Sequence, residues 1–406
     1  MEQFTKHEKT LSQKLIFVLC ITLFVKFHSY AQGCVAVRQM GGLSMCSSDA
    51  YNISKGDWQV GANYRYFHSW RHFVGTAEQP RRQNTGGGIG LDGIDRGNAV
   101  NIYSHSLDLN LSYGLTSRWQ LNLTLPYVHN ERSQVLRQTA PVKDTFRYSV
   151  FAKGFGDIRM SANYWVINPA KAHKGNLMLG FGIKLNNGNH NAVDAAPVAN
   201  GTIRIGVMDQ AIQPGDGGIG FSLEAQGFRQ LFKTVYGFVN GFYLFNPRES
   251  NGSFKSAPLA GLEGYNIYAC PDQYFARAGF MSTVDKAQKL TLSLAARGEG
   301  IPAYDALGGQ VAYRRPGYVI AIESGIIYRS VQHGISLYVP FNVVRNRIQS
   351  AADIATQQLR NKGVTDPAKL VHVQGDAAFA DYSISLGYTY RIVKKGTALQ
   401  HFNPKM

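Results

Sequence analysis

The sequence predicts an all-β fold: a transmembrane, antiparallel, up-and-down β-barrel of about 12 strands with long extracellular loops and short periplasmic turns. Three observations carry that reading: an export leader, strand-length segments of alternating polarity, and connections that alternate between short and long. The hairpin from Leu107 to Tyr127 shows the alternation best. Leu107, Leu109, Leu111 and Tyr113 share one face and Asp108, Asn110 and Ser112 the other, because successive side chains of a strand point to opposite sides. After Gly114 to Arg118, Trp119, Leu121, Leu123 and Leu125 oppose Gln120, Asn122 and Thr124. Pro126, which has no N–H for a ladder, is expected to end that strand. Each run is about 9 residues, near the length a tilted strand needs to cross a bilayer. A soluble sandwich would give the same hairpin. It has no reason to sort its connections by side, however, and long structureless loops count against a compact soluble domain.

The leader is residues 1–31. Lys6, Lys9 and Lys14 precede an apolar run from Leu15 to Val25, and Ser29-Tyr30-Ala31 fits a small-x-small cleavage site. No later stretch reaches the roughly 18 apolar residues of a spanning helix, so any span must be made of strands. The mean hydropathy of −0.19 is what a barrel with a lipid face and a polar lumen face would average to. Residues 32–56 read as a periplasmic arm or plug, 57–392 as the barrel and 393–406 as a periplasmic tail.

Of four cysteines one lies in the leader. Cys34 and Cys46 are expected to form a local disulfide in an oxidising envelope, with Cys270 left over. Acylation of Cys34 as the first residue of a lipoprotein competes with that, although Ala31-Gln32-Gly33 lacks the usual Leu three residues before it. No spacing suggests a metal site, and no cofactor is expected. The chain has 42 basic and 26 acidic residues; four Lys and two Glu fall within residues 1–31, which leaves 38 against 24, a net +14. Such an excess points to anionic surroundings, lipopolysaccharide phosphates or an anionic solute. Nucleic acid is not expected as a partner, since no recognition-helix or RNA-binding signature is present.

In order, the strands are expected at Trp58 to Tyr66, in the two arms of the hairpin above, at Ile158 to Val166, Leu177 to Leu185 and Ile219 to Gln226, and at Val235 to Phe245, whose two faces are both apolar. Then come Tyr274 to Ser282, Leu290 to Arg297, Tyr318 to Tyr328, Ile335 to Val343 and Tyr382 to Ile392. Gly86-Gly87-Gly88-Ile89-Gly90 reads as a flexible loop, because neither a Lys-Ser/Thr pair nor a βαβ unit accompanies it. Arg297 to Pro302 and Arg314 to Gly317 read as loop, and Ile348 to Leu359 as helix. An even strand count puts both ends in the periplasm, and Trp58, Tyr66, Tyr113, Trp119, Tyr127, Tyr318 and Tyr328 would form the two interfacial girdles.

The last strand resembles the C-terminal signal read by the barrel assembly machinery, with Ser385, Gly387, Tyr390 and Ile392 in place, although 14 residues follow it. Gly114-Leu115-Thr116, Arg118-Trp119, Leu121, Leu123, Leu125-Pro126-Tyr127 and Gly154-Phe155-Gly156-Asp157 resemble short motifs of the outer-membrane barrel family named for the meta-cleavage pathway of phenol degradation. The resemblance covers about a third of the chain and implies a divergent member of a family of presumed transporters.

The expected function is a non-enzymatic channel or transporter of the bacterial outer membrane, embedded in lipid and lipopolysaccharide, that passes small solutes, anionic or aromatic. Twelve strands leave a narrow lumen that loops could constrict. Its expected lining carries Arg65, Arg159, Lys184, Arg277, Arg297 and Arg391 against Asp108, Glu224 and Glu323. That excess of base would favour anions, unless the charges pair across the lumen. The alternatives are a structural or surface-binding barrel acting through its loops, and a barrel-embedded hydrolase using the His105-Ser106 pair with Asn101 nearby. Neighbours on a strand face opposite ways, which disfavours proton transfer between His105 and Ser106.

Overall fold

A computed structural model describes residues 53–83, 98–139, 144–172 and 174–394. The leader, Cys34, Cys46, the glycine cluster at 86–90 and most of the tail lie outside the described residues. Twelve strands form a closed antiparallel barrel: β1 (Trp58–Val74), β3 (Asn101–Gly114), β4 (Trp119–Arg137), β6 (Arg159–Trp165), β7 (Gly175–Lys184), β10 (Gly220–Gln230), β11 (Val235–Phe245), β14 (Gln273–Thr283), β15 (Leu290–Ile301), β16 (Gly317–Arg329), β17 (His333–Asn346) and β18 (Ala377–Ile392). Each pairs with its neighbour in that order, and β18 closes on β1 from Trp58 opposite Ile392 up to Phe73 opposite Ala377. The lesser strands, β2 (Ala77–Glu78), β5 (Thr145–Phe155), β8 (Val193–Pro197), β9 (Ile203–Val207), β12 (Ser250–Phe254) and β13 (Ile267–Ala269), belong to the long connections, as does the helix α1 (Ala351–Asn361). Ser350 and Asp353 cap α1 reciprocally. Among the described residues no helix is long and apolar enough to cross a membrane.

The exterior is an apolar belt. Leu107, Leu109, Leu121, Leu123, Met160, Leu179, Phe181, Phe280, Ile326, Leu337 and Leu386 are all exposed, whereas the residues alternating with them are buried or half-buried. Water would tolerate that belt poorly, and a closed barrel leaves no strand edge open to lipid, so the chain is an outer-membrane barrel. At the rim where the barrel's first strand begins, its last strand ends and the short turns lie, Trp58 stacks obliquely on Tyr113 and Trp119 on Tyr164, with ring centres 4.5 and 4.9 Å apart. This is the periplasmic girdle.

Two sequence expectations are corrected. Pro126 does not end its strand: β4 continues for 11 residues beyond it, to Arg137. The proline sits where β4 changes partner, from β6 at Trp119 to Thr124 to β5 at Tyr127 to Arg137, so the ladder on that side is already interrupted where the N–H is missing. Arg297 to Ile301 is strand rather than loop, because β15 runs on to pair Ile301 with Gly317. β11, apolar on both faces in the sequence, buries Phe238, Asn240, Phe242 and Leu244 and exposes Val239.

Candidate functional site: the lumen and its extracellular cap

Strand alternation buries Arg65, Asp108, Arg159, Lys184, Arg277, Arg297 and Glu323, with Glu224 and Arg391 half-buried. Arg277 and Arg297 face each other across the β14–β15 pair, a like-charge juxtaposition that needs a counter-charge. Glu323 of β16 supplies it, accepting from Arg277 Nη1 at 2.6 Å and from Arg297 Nη1 at 2.7 Å. Arg297 also donates to Glu299 at 2.9 Å. Glu299, taken for a loop residue in the sequence, lies two positions beyond Arg297 and therefore on the same face; extending the alternation would have found it. Arg65 and Arg159 both lie in the field of Asp108, with Glu299 also acting on Arg65 and Glu224 on Arg159. Arg391 is 3.9 Å from Asp57 at the periplasmic rim. The sequence reading put Arg65 and Arg391 together at the β1–β18 seam. They share the seam, but Arg65 stands opposite Ser385 and Arg391 opposite Gln59, about 20 Å apart along the strand at roughly 3.3 Å per residue.

Aromatic rings frame these charges. Arg277 lies within 6 Å of the rings of Phe238, Phe275 and Tyr338, at 5.9, 5.9 and 5.1 Å, and Arg159 stands 4.8 Å from Phe242. Phe242 and Phe275 stack with centres 5.9 Å apart. Nothing in the sequence alone singled out these rings, since β11 shows no polar face to orient them. Six strands from β11 around the ring, and so diametrically opposite, is β1. There the wall is small and polar. Asp108, Asn63, Gly387 and Ser336 stand at one level on β3, β1, β18 and β17. Asp108 Oδ1, Asn63 Oδ1 and Ser336 Oγ are buried and find no hydrogen-bond partner among the described residues. A Cβ at Gly387 would come within 2.5 Å of Ser336 Oγ, so the glycine keeps a trough open between these groups.

The extracellular mouth is capped from within. Residues 212–218 are buried, although beyond Ile212, which ends a short 3-10 helix at Gln210–Ile212, they belong to no strand or helix. The inward-facing Asn130 of β4 donates to Ile212 O at 2.9 Å, and the inward-facing Lys184 donates to Gly218 O at 2.7 Å and pairs with Asp216 and Asp157. Arg315 grips Asp209 with two bonds of 2.6 and 2.7 Å, and Gln210 donates to Ala269 O at 2.6 Å, so three long loops are tied together. Burial alone would raise the Asp209 carboxyl, but Arg315 and Arg132 hold it well below the usual range. Cys270 is free and buried, its Sγ donating to Asp216 O at 3.3 Å, and burial pushes its thiol up.

His105 and Ser106 point to opposite faces, His105 outward against Tyr64 and Ser106 into the wall, so the pair is not brought together. Among the described residues no group of three or more His, Cys, Asp or Glu could hold a metal ion.

No family model matches the chain, and no curated protein matches it in sequence. Solved structures do. An outer membrane channel from Pseudomonas putida F1 matches at a TM-score of 0.51 and 11% identity, over 84% of this chain and 98% of that one. The toluene transporter TbuX of Ralstonia pickettii matches at 0.40 and 9% identity, over 87% and 91%, and a Pseudomonas aeruginosa FadL homologue at 0.39 and 9%, over 83% and 90%. The first likeness establishes a shared outer-membrane barrel fold.

Proposed function

We propose that the barrel is a passive channel for small solutes, whose path runs between the polar trough of β17, β18, β1 and β3 and the aromatic wall of β11 and β14. The observation that carries this is the set of buried, inward-facing polar atoms at Asp108, Asn63 and Ser336 that have no hydrogen-bond partner among the described residues. Buried polar groups are expensive unless something hydrogen-bonds them, and in a lumen that something is water or a permeating solute. The facing rings at Phe238, Phe242 and Phe275 suit an apolar edge. Small amphipathic aromatic molecules match both walls, and the fold shared with an outer membrane channel agrees with a transport role. Simple anions are a poorer match, because Glu323 and Glu299 already neutralise Arg277 and Arg297.

Liposome swelling tests this. Vesicles containing the folded barrel should swell faster in a small neutral phenol than in a sugar of similar mass, and the reversal potential in planar bilayers should lie near zero under a salt gradient. No swelling and no conductance from a heat-modifiable, folded barrel would refute the channel. One observation favours the loop-binding alternative: the β8–β9 hairpin holds Ile203 and Ile205 at 71% and 75% exposure. If the barrel conducts nothing, that hairpin becomes the working surface. Under either reading β18, which ends the barrel and pairs with β1, is the strand we assign to recognition by the assembly machinery.

A further inference from the structure

We propose that the outer surface of β1, β3, β4 and β5 carries a binding strip for the phosphate groups of the outer-leaflet glycolipid. The inference is independent of the channel reading, since every residue in it faces away from the lumen. Four side chains stand at one level across four strands: Tyr66 opposite His105, His105 opposite His129, and His129 opposite Lys153. One register step toward the periplasm is the exposed apolar row Leu107, Tyr127 and Phe155. The strip therefore begins where the lipid belt ends. Along β3 it lies eight residues from Tyr113 of the periplasmic girdle, roughly 20 Å at the usual strand rise and tilt, close to the height of the apolar band.

The rings are held edge to edge rather than scattered. His105 sits 5.0 Å from Tyr66 and 6.5 Å from His129, and His129 sits 6.2 Å from Phe151. His68, one step further out, stacks on Tyr103 at 4.1 Å with an interplanar angle of 7°. Tyr64 Oη lies 2.7 Å from His105 Nδ1, which fixes that ring and offers its other nitrogen to a ligand. Lys153 is exposed. Two carboxylates act on the strip's imidazoles, Glu131 on His105 and Asp381 on His68; Glu131 also accepts from Ser149 Oγ at 2.6 Å, and Asp381 from Trp70 Nε1 at 3.2 Å and Arg71 Nη1 at 3.4 Å. The Lys153 ammonium at the height of anionic headgroups gives charge complementarity to a phosphorylated lipid, and the three imidazoles add hydrogen-bond donors at neutral pH and positive charge once protonated. Burial holds the His68 and His105 imidazoles below their ordinary value, and His129 lowers His105 further, so the affinity should rise as pH falls below the ordinary imidazole range.

The test titrates diphosphoryl lipid A, and the same lipid stripped of its phosphates, into the full detergent-solubilised barrel and counts bound lipid by native mass spectrometry. The diphosphoryl form should bind at least tenfold tighter, with the gap widening at about pH 5.5. In a combined His68→Gln, His105→Gln, His129→Gln, Lys153→Gln variant the gap should close. His333→Gln, at the periplasmic girdle against Tyr388 and Tyr390, should leave it intact. Equal binding of the two lipids to the wild-type barrel, a gap that survives the combined variant, or its loss in His333→Gln would overturn the proposal, as would displacement of the lipid by equimolar inorganic phosphate. If the combined variant does not fold, Lys153→Glu alone must narrow the gap, and an unchanged gap overturns the proposal equally.

Discussion

Replacing Glu323 by Gln tests how dry the lumen is. The carboxylate bridges two buried guanidiniums, at 2.6 and 2.7 Å between heavy atoms, and Arg277 and Arg297 stand directly opposite each other on adjacent strands. With charge centres about 4 Å apart and an effective dielectric of about 20, each attraction is about 4 kcal/mol, whereas in bulk water it would be about 1 kcal/mol. The amide removes both attractions and leaves the two cations with Glu299 alone, although it also relieves the cost of burying the Glu323 charge. Breaking one partner out of a buried pair typically costs about 3–5 kcal/mol, and that is the expected loss of stability. Reversible urea unfolding of the barrel in lipid vesicles reads it as a shift in midpoint at constant slope. The same variant should turn the channel anion-selective in planar bilayers, since two bases lose their shared acid. A loss below about 1 kcal/mol would mean that solvent screens the bridge, and the description of these charges as mutually neutralising would fail.

Three further predictions rest on separate parts of the fold. Burial favours a raised Asp376 carboxyl, but the 2.6 Å contact with His72 and the charges of His72, Arg82 and Arg315 bring it to about 2, below the usual carboxylate value. A lowered native value stabilises above the unfolded one, so this tie should be intact at neutral pH and lost as pH falls from about 4 to 2; hydrogen exchange in loop 347–376 should rise there while the barrel strands stay protected. Gly114→Ala should detach residues 53–57 from the β3–β4 turn: a Cβ would lie 2.1 Å from Ser54 O, where Gly56 N and Gly114 N now donate to Gly114 O and Asp57 O. The expected cost is about 1–3 kcal/mol, read by unfolding and by new cleavage near residue 55. Cys270 should resist maleimide until the barrel is unfolded, while non-reduced digests should show Cys34 joined to Cys46; rapid labelling of Cys270, or free thiols at 34 and 46, would refute the respective statements.

All twelve barrel strands were legible in the sequence because one face of each had to be apolar toward lipid, a constraint that repeats every second residue. What the sequence concealed lay where that constraint lapses. Above the membrane β1, β4 and β18 run on to 17, 19 and 16 residues, because their pairing with each other and with β5 satisfies the backbone once lipid no longer dictates polarity. Inside the barrel an apolar residue is as acceptable as a polar one, so β11 could place Phe238 and Phe242 inward without leaving a periodic trace. Residues 212–218 carry no periodicity at all and are buried by hydrogen bonds to particular wall residues, Asn130 and Lys184, which only the folded register brings to them.

The charge excess can now be located. The sequence reading assigned six bases and three acids to the lumen, which left a surplus for permeating anions to screen. Folding brings Asp57, Asp157, Asp216 and Glu299 to those same bases, so that Arg65, Arg159, Lys184, Arg277, Arg297 and Arg391 meet seven acids rather than three. At these positions the bases are outnumbered by one, so they contribute nothing to the net +14 of residues 32–406. Lys153, exposed Arg147 on the same strand and exposed Arg204 on β9 show where part of it lies. A surplus on the outer surface and the extracellular rim acts on whatever surrounds the barrel, whereas one in the lumen would act on whatever passes through it. In the channel proposed above, solute selection falls to the uncharged contrast between the trough at Asn63, Gly387 and Ser336 and the rings at Phe238, Phe242 and Phe275, and the proposed leaflet contact draws on outer-surface bases such as Lys153.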